Sequence, residues 1–186
     1  IGFKLKIIET SPIPQPEKSD SEVYLIGEDC MGEPRANRIA RIKQTLKDGE
    51  SLLLSDSAAI GWIFGVRIDP TENKCVLPNC VAFIEKDAKP ILFSDLFLKD
   101  HSEDFEYADV SKFEERIKQT AKSNVNLEYS RTSLYFAKAF QDNGFNIKQS
   151  SVNYGLFESV KNSVEIENLR AASIKASLSF IKTLAF

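Results

Sequence analysis

The spacing of apolar and polar positions changes repeatedly along this chain, and each change marks an element. Phe3, Leu5 and Ile7 alternate with Lys4 and Lys6, the two-residue period of a strand over residues 3–9. Residues 10–21 carry Pro12, Pro14 and Pro16 among polar side chains, which neither extend a sheet nor start a helix, so this stretch reads as a linker. An extended piece is expected at 23–26. Over 35–47, Ile39, Ile42 and Leu46 recur at helical spacing, and Asp48-Gly49 supplies the stop. The apolar run 51–54 is too short for a helix and too apolar for an edge, which predicts a buried strand. Ser55 or Asp56 can then cap a short helix through Ala58, Ala59, Ile60, Trp62 and Ile63. Pro78 makes 76–79 a loop, and the runs 80–85 and 90–93, joined by Lys86-Asp87-Ala88-Lys89, predict a β-hairpin.

From residue 105 onward strand and helix patterns alternate. A weak strand at 105–108 precedes Ser111 and Glu114, whose spacing is that of a capping box, and the helix after them puts Phe113, Ile117 and Ala121 on one face. A strand is predicted at 125–129, a helix at 132–143 ended by Gly144, and a further strand at 145–148. Asn162 with Glu165 three residues on opens the last helix, striped by Ile166, Leu169, Ile174, Leu178 and Ile181. The chain opens on Ile1 and this helix reaches the last residue still apolar, from which a longer polypeptide is expected, with a packing partner for the stripe elsewhere in it. Strands alternating with helices, plus one hairpin, predict an α/β domain over 22–159 whose mixed sheet is flanked by helices.

Composition narrows the function classes. The 186 residues are 42% apolar and 27% charged, with a net charge of −3, a globular domain large enough to bury a core. The longest apolar runs fall far short of the roughly 18 residues of a membrane span. The mild acidity argues against a dedicated nucleic-acid binder. The polar side of the 35–47 helix is the exception: Arg35, Arg38, Arg41, Lys43 and Lys47 fall there with no acidic partner. A solvated basic face is the expectation, with an anionic surface as the functional alternative.

Chemistry is sparse. There is a single histidine, His101, in a charged stretch that reads as loop, and most hydrolytic metal centres and acid/base pairs rely on histidine. Cys30, Cys75 and Cys80 form an odd set without a C-x2-C pair, which fits a reducing, cytoplasmic setting better than a disulfide framework. A zinc site from Cys75, Cys80 and His101 is a weak alternative to small buried thiols. Asp56, Glu85 and Glu128, at strand ends, are the candidates for a carboxylate cluster holding Mg2+. No dinucleotide or phosphate loop, H-E-x-x-H pair or nucleophile elbow occurs. The most unusual local sequence is 62–70, where the only tryptophan is followed by a glycine turn and an Arg-x-Asp pair. Trp62 in the core with a local Arg67–Asp69 ion pair is one reading; the other has Arg67 binding a carboxylate of a ligand or neighbouring domain.

The order of these features carries a resemblance. The stretch SLLLSDSAAIGWIFGVR, 51–67, is similar to the strand, short helix and W-x-x-N-x-R-G segment of the creatinase-type N-terminal domains of Xaa-Pro aminopeptidases. VKNSVEIENLRAAS, 160–173, resembles the family's K-N-x-x-E-I-x-x-x-R-x-A stretch, which enters the first helix of the catalytic pita-bread domain. Residues 2–13, the linker and Gly27-Glu28 before the basic helix resemble the junction of the first and second domains in three-domain members. Gly65 stands where the family has Asn, Ile68 where it has Gly, and Ser173 and Ala176 where a His and an Asp are common.

The resemblance implies a creatinase/prolidase N-terminal-like domain over 22–159, preceded at 1–21 by the end of another domain and a linker, and followed at 160–186 by the first catalytic-domain helix. It implies a non-catalytic domain of a cytoplasmic metallo-aminopeptidase that releases N-terminal residues preceding proline. Two divalent metals, manganese typically, belong to the catalytic domain, and no residue here matches their ligands. The partners implied are the chain's own catalytic domain, peptides with proline in second position and a second copy in a homodimer, with no nucleic acid and no membrane. Trp62 and Arg67 are the substrate-cleft candidates. The rival class is an interaction module of a catalytically inactive relative, as in the histone-chaperone subunit of FACT.

Overall fold

The computed structural model describes residues 21–68, 77–121 and 124–185. The strand expected at 3–9, nearly all of the linker, Asp69 and Cys75 lie outside them.

The larger sheet has six strands in the order β7-β5-β4-β2-β8-β9, formed by β2 (Glu50–Leu54), β4 (Val81–Glu85), β5 (Ile91–Ser94), β7 (Glu106–Asp109), β8 (Asn124–Leu127) and β9 (Asn146–Gln149). β4 runs antiparallel to both β2 and β5, while β2, β8 and β9 are mutually parallel and β7 runs with β5. The sheet is therefore mixed, as the alternating pattern with one hairpin requires. A second sheet of three short strands joins β1 (Glu22–Leu25) antiparallel to β3 (Val66–Ile68) and parallel to β6 (Phe97–Leu98). A single sheet was expected. The stretch containing Arg67 is a strand instead of a turn, because its backbone completes a ladder with a segment 43 residues earlier (Tyr24 against Arg67).

Both faces of the large sheet are covered. Leu52 and Leu54 point into one core and Leu53 into the other, as do Ala82 and Ile84 against Val81 and Phe83, the two-residue period applied to strands buried on both sides. The first core is closed by α2 (Arg35–Gln44) through Ile39 and Ile42 and by α3 (Ser57–Phe64) through Ile60, Ile63 and Phe64. The second is closed by α4 (Phe113–Gln119) and α5 (Leu134–Asp142). Phe113 is its hub, with ring centroids 5.3, 4.9 and 5.6 Å from those of Phe93, Phe136 and Phe140 in edge-on contacts.

Several termini differ from expectation. The capping box at Ser111 and Glu114 does not form; Asp109 accepts from Ser111 N, the chain makes a 3-10 turn over Val110–Lys112, and α4 starts at Phe113. Ala121 lies beyond the end of α4 and is exposed. Two short helices without a period long enough to announce them, α1 (Glu28–Met31) and α6 (Tyr154–Ser159), complete the domain. α7 (Ser163–Leu184) leaves it with its whole length exposed apart from its first turn. No helix among the described residues is long and apolar enough to cross a membrane.

Candidate functional site

α3 sets the position of Trp62. Asp56, not Ser55, is its N-cap, its carboxylate accepting from Ala58 N and Ala59 N at 2.9 and 3.0 Å. Gly65 ends the helix at φ +58° in the left-handed region. Ile60, Ile63 and Phe64 face the core, so Trp62 falls on the outer side, half-buried, where α2 and the start of α7 meet it.

The basic side of α2 is where expectation and structure part most clearly. Arg35 and Arg38 are 7% and 3% exposed, not solvated, and each has acidic and backbone partners. The Arg38 guanidinium lies 4.3 Å from the Trp62 ring centroid. Its Nε donates to Glu33 Oε1 (2.9 Å), its Nη1 to Trp62 O (2.9 Å), and its Nη2 to Met31 O (2.7 Å) and Glu165 Oε1 (2.9 Å). Arg41 grips Glu33 with both terminal nitrogens at 2.6 and 2.8 Å. That bidentate bond holds the Glu33 carboxyl below its ordinary pKa, against the opposing effect of burial, with Arg38 adding to it. Arg35 donates to Phe64 O (2.5 Å) and Ile26 O (3.0 Å), and Asp104 lies 3.5 Å away.

α7 joins this network through its own capping box. Asn162 Oδ1 accepts from Glu165 N (2.9 Å) and Glu165 Oε2 from Asn162 N (3.0 Å). The other oxygen, Glu165 Oε1, accepts from the Trp62 indole N–H at 3.0 Å as well as from Arg38. Asn162 Nδ2 donates to Met31 O (2.8 Å), and Asn168 Nδ2 to Cys30 O (3.4 Å). One glutamate thus closes the helix cap and ties the helix to α2 and α3.

Trp62 and Arg67 do come together. They line one cavity of ≈ 400 Å³ between α3, α1 and α7, with Ile26, Met31 and Leu169 among its walls and Lys161 at its edge. Arg67 Nη1 donates to Val66 O at 2.8 Å. Gly61 gives it room, since a Cβ there would lie 2.6 Å from Arg67 Nη1.

The carboxylate cluster is not assembled. β2 and β4 are antiparallel, with Ser51 opposite Glu85, so Asp56 and Glu85 lie toward opposite ends of the two strands. Asp56 and Glu128 do share the carboxyl ends of the neighbouring parallel strands β2 and β8. From there α3 and α5 depart to opposite faces, the place where α/β sheets open a crevice. Arg131 bridges the two there, and Tyr154 donates its hydroxyl to Glu128. The chain's own guanidinium thus takes the position a cation would need. Burial pushes the Cys80 thiol up to about 11, and it donates to Leu77 O at 3.1 Å; His101 is exposed. Among the described residues no group of three or more His, Cys, Asp or Glu side chains could hold a metal.

The sequence profile of the creatinase/prolidase N-terminal domain matches residues 14–165. The chain belongs to that family. Among solved structures it is similar to the X-prolyl aminopeptidase of Caenorhabditis elegans, described as a cytosolic enzyme with a di-nuclear active site. The TM-score is 0.71 and the identity 12%, over 91% of this chain and 30% of that one. It is also similar to the creatinase/prolidase N-terminal domain of an X-Pro dipeptidase from Streptococcus pyogenes, with TM-score 0.40 and 16% identity over 61% of this chain and 99% of that one. Comparison with curated proteins finds no significant sequence match. The chain thus spans less than a third of the length of the worm enzyme whose fold it shares.

Within this creatinase/prolidase N-terminal domain, Gly65 has a physical reason to replace the pattern's Asn. Its left-handed φ suits either residue, and a Cβ would lie 2.5 Å from Met31 Sδ. Glu33 is the residue of this network that the sequence did not mark, and Arg38 stood out only as one member of a basic face. The signal available was the i, i+3, i+6 spacing of Arg35, Arg38 and Arg41, which puts all three on one side of the helix and calls for anions against it.

Proposed function

We propose that this creatinase/prolidase N-terminal domain is the non-catalytic cap of a metal-dependent Xaa-Pro aminopeptidase, narrowing access to a cleft built by a following catalytic domain. On this reading residues 1–21 end a preceding domain, and α7 is the first helix of the catalytic domain. The parent works in the cytoplasm on peptides with proline in second position, with two divalent metals, manganese by preference, held by side chains of the catalytic domain. Among the described residues no cluster fits a metal site, and on this reading the domain's part is steric and electrostatic: it excludes folded chains and positions short ones.

The observation that carries the reading is the tie between α7 and the domain. Glu165, Arg38, Trp62 and Asn162 lock the first turn of α7, while Ile174, Leu178, Ile181 and Leu184 beyond it stay 54–71% exposed. A helix gripped at one end and apolar along its length is suited to transmit a fixed orientation to a neighbouring domain. The fold shared with the worm aminopeptidase supports the same reading.

On this reading the two cleft candidates take different parts. Trp62 is a positioning residue, acting through Glu165 and Arg38, and Arg67 faces the cavity. The test is kinetic, on the full-length parent loaded with Mn2+ and assayed on a Xaa-Pro-Xaa peptide. Arg67→Ala should lower kcat/KM about tenfold, chiefly through KM. Unchanged kinetics in a folded variant removes Arg67 from the cleft. Absence of hydrolysis by the unaltered parent favours the interaction module of an inactive relative.

A further inference from the structure

We draw no further inference here: the strongest candidate, the ≈ 440 Å³ cavity at the carboxyl ends of β2 and β8 lined by Asp56, Glu128 and Glu158, is an acidic cluster in which Arg131 already bridges Asp56 and Glu128, and the unpaired Oε1 of Glu158 has no surface open to a ligand.

Discussion

Replacing Arg38 by Met keeps the length of the side chain and removes its charge and all its donors. Arg38 is 3% exposed and stands between two carboxylates, Glu33 and Glu165. Stripping one partner from a buried ion pair costs about 3–5 kcal/mol, because the remaining charge stays desolvated. Here the carboxylates are not abandoned: Glu33 keeps both Arg41 bonds, and Glu165 keeps the indole and Asn162 N. That moves the cost to the lower end of the range. The lost stacking on Trp62 adds about 0.5–2 kcal/mol, and methionine recovers some of it through contact with the ring.

The expected loss for Arg38→Met is about 3 kcal/mol, or about 6–12 °C in Tm for a domain of this size. Arg41→Met is the internal control. Arg41 touches the same Glu33, but its side chain is 36% exposed, and the expected cost is about 1 kcal/mol or less. Urea unfolding followed by Trp62 fluorescence measures both, and amide exchange over 164–167 reads the release of α7 directly. If the two variants lose the same stability, or if exchange at the start of α7 is unchanged in Arg38→Met, the network does not hold the helix.

Glu33 titrates below its ordinary value when folded, so its contribution to stability is complete above about pH 4.5 and is lost as pH falls through the folded pKa. Urea midpoints between pH 7 and pH 3 should therefore fall less steeply in Glu33→Gln than in the unaltered chain. Gly32 sits at φ +72°, and a Cβ there would lie 2.4 Å from Asn162 Oδ1 and 2.8 Å from Val164 Cβ. Gly32→Ala should cost about 1–3 kcal/mol and raise exchange at the first turn of α7 while the sheet stays protected. Phe113→Ala removes the hub of three edge-on ring contacts in the second core and should cost about 3–5 kcal/mol by denaturant unfolding.

The elements whose signals are local were legible in the sequence. The run 51–54 is a strand buried on both faces, the pair at 80–85 and 90–93 is the antiparallel hairpin β4–β5, and Asn162 with Glu165 forms the capping box of α7. Each rests on neighbours within a few residues, so spacing alone carries it. The family resemblance, and with it the fold, rested on the same stretches. Ser111 with Glu114 had the same local form and failed because Asp109, two residues before Ser111, took the cap. α1, α6 and the two-residue strand β6 are too short for any period to show.

The burial of Arg38 is not legible in the sequence for a different reason. On the helix surface it is one basic residue among several, and nothing within α2 distinguishes it from Lys43. Its partners come from outside the helix: Glu33 just before it, Trp62 24 positions on and Glu165 127 positions on. The strand containing Arg67 is long-range in the same way, paired with β1 across the chain. Likewise Asp56, Glu85 and Glu128 were equivalent as strand-end carboxylates, until strand direction separated Glu85 and Arg131 claimed the other two.

Local spacing was enough to place most helices and strands, while the resemblance of 51–67 and 160–173 pointed to the family and to Trp62 and Arg67 as its cleft candidates. Only the tertiary structure decided that the arginines of α2 are buried, that Trp62 is bound to the start of α7, and that Arg67 and Lys161 line one cavity. The division has a physical cause. Backbone conformation answers to side chains within a turn or two, whereas the charge state and burial of a side chain are set by what the folded chain brings against it.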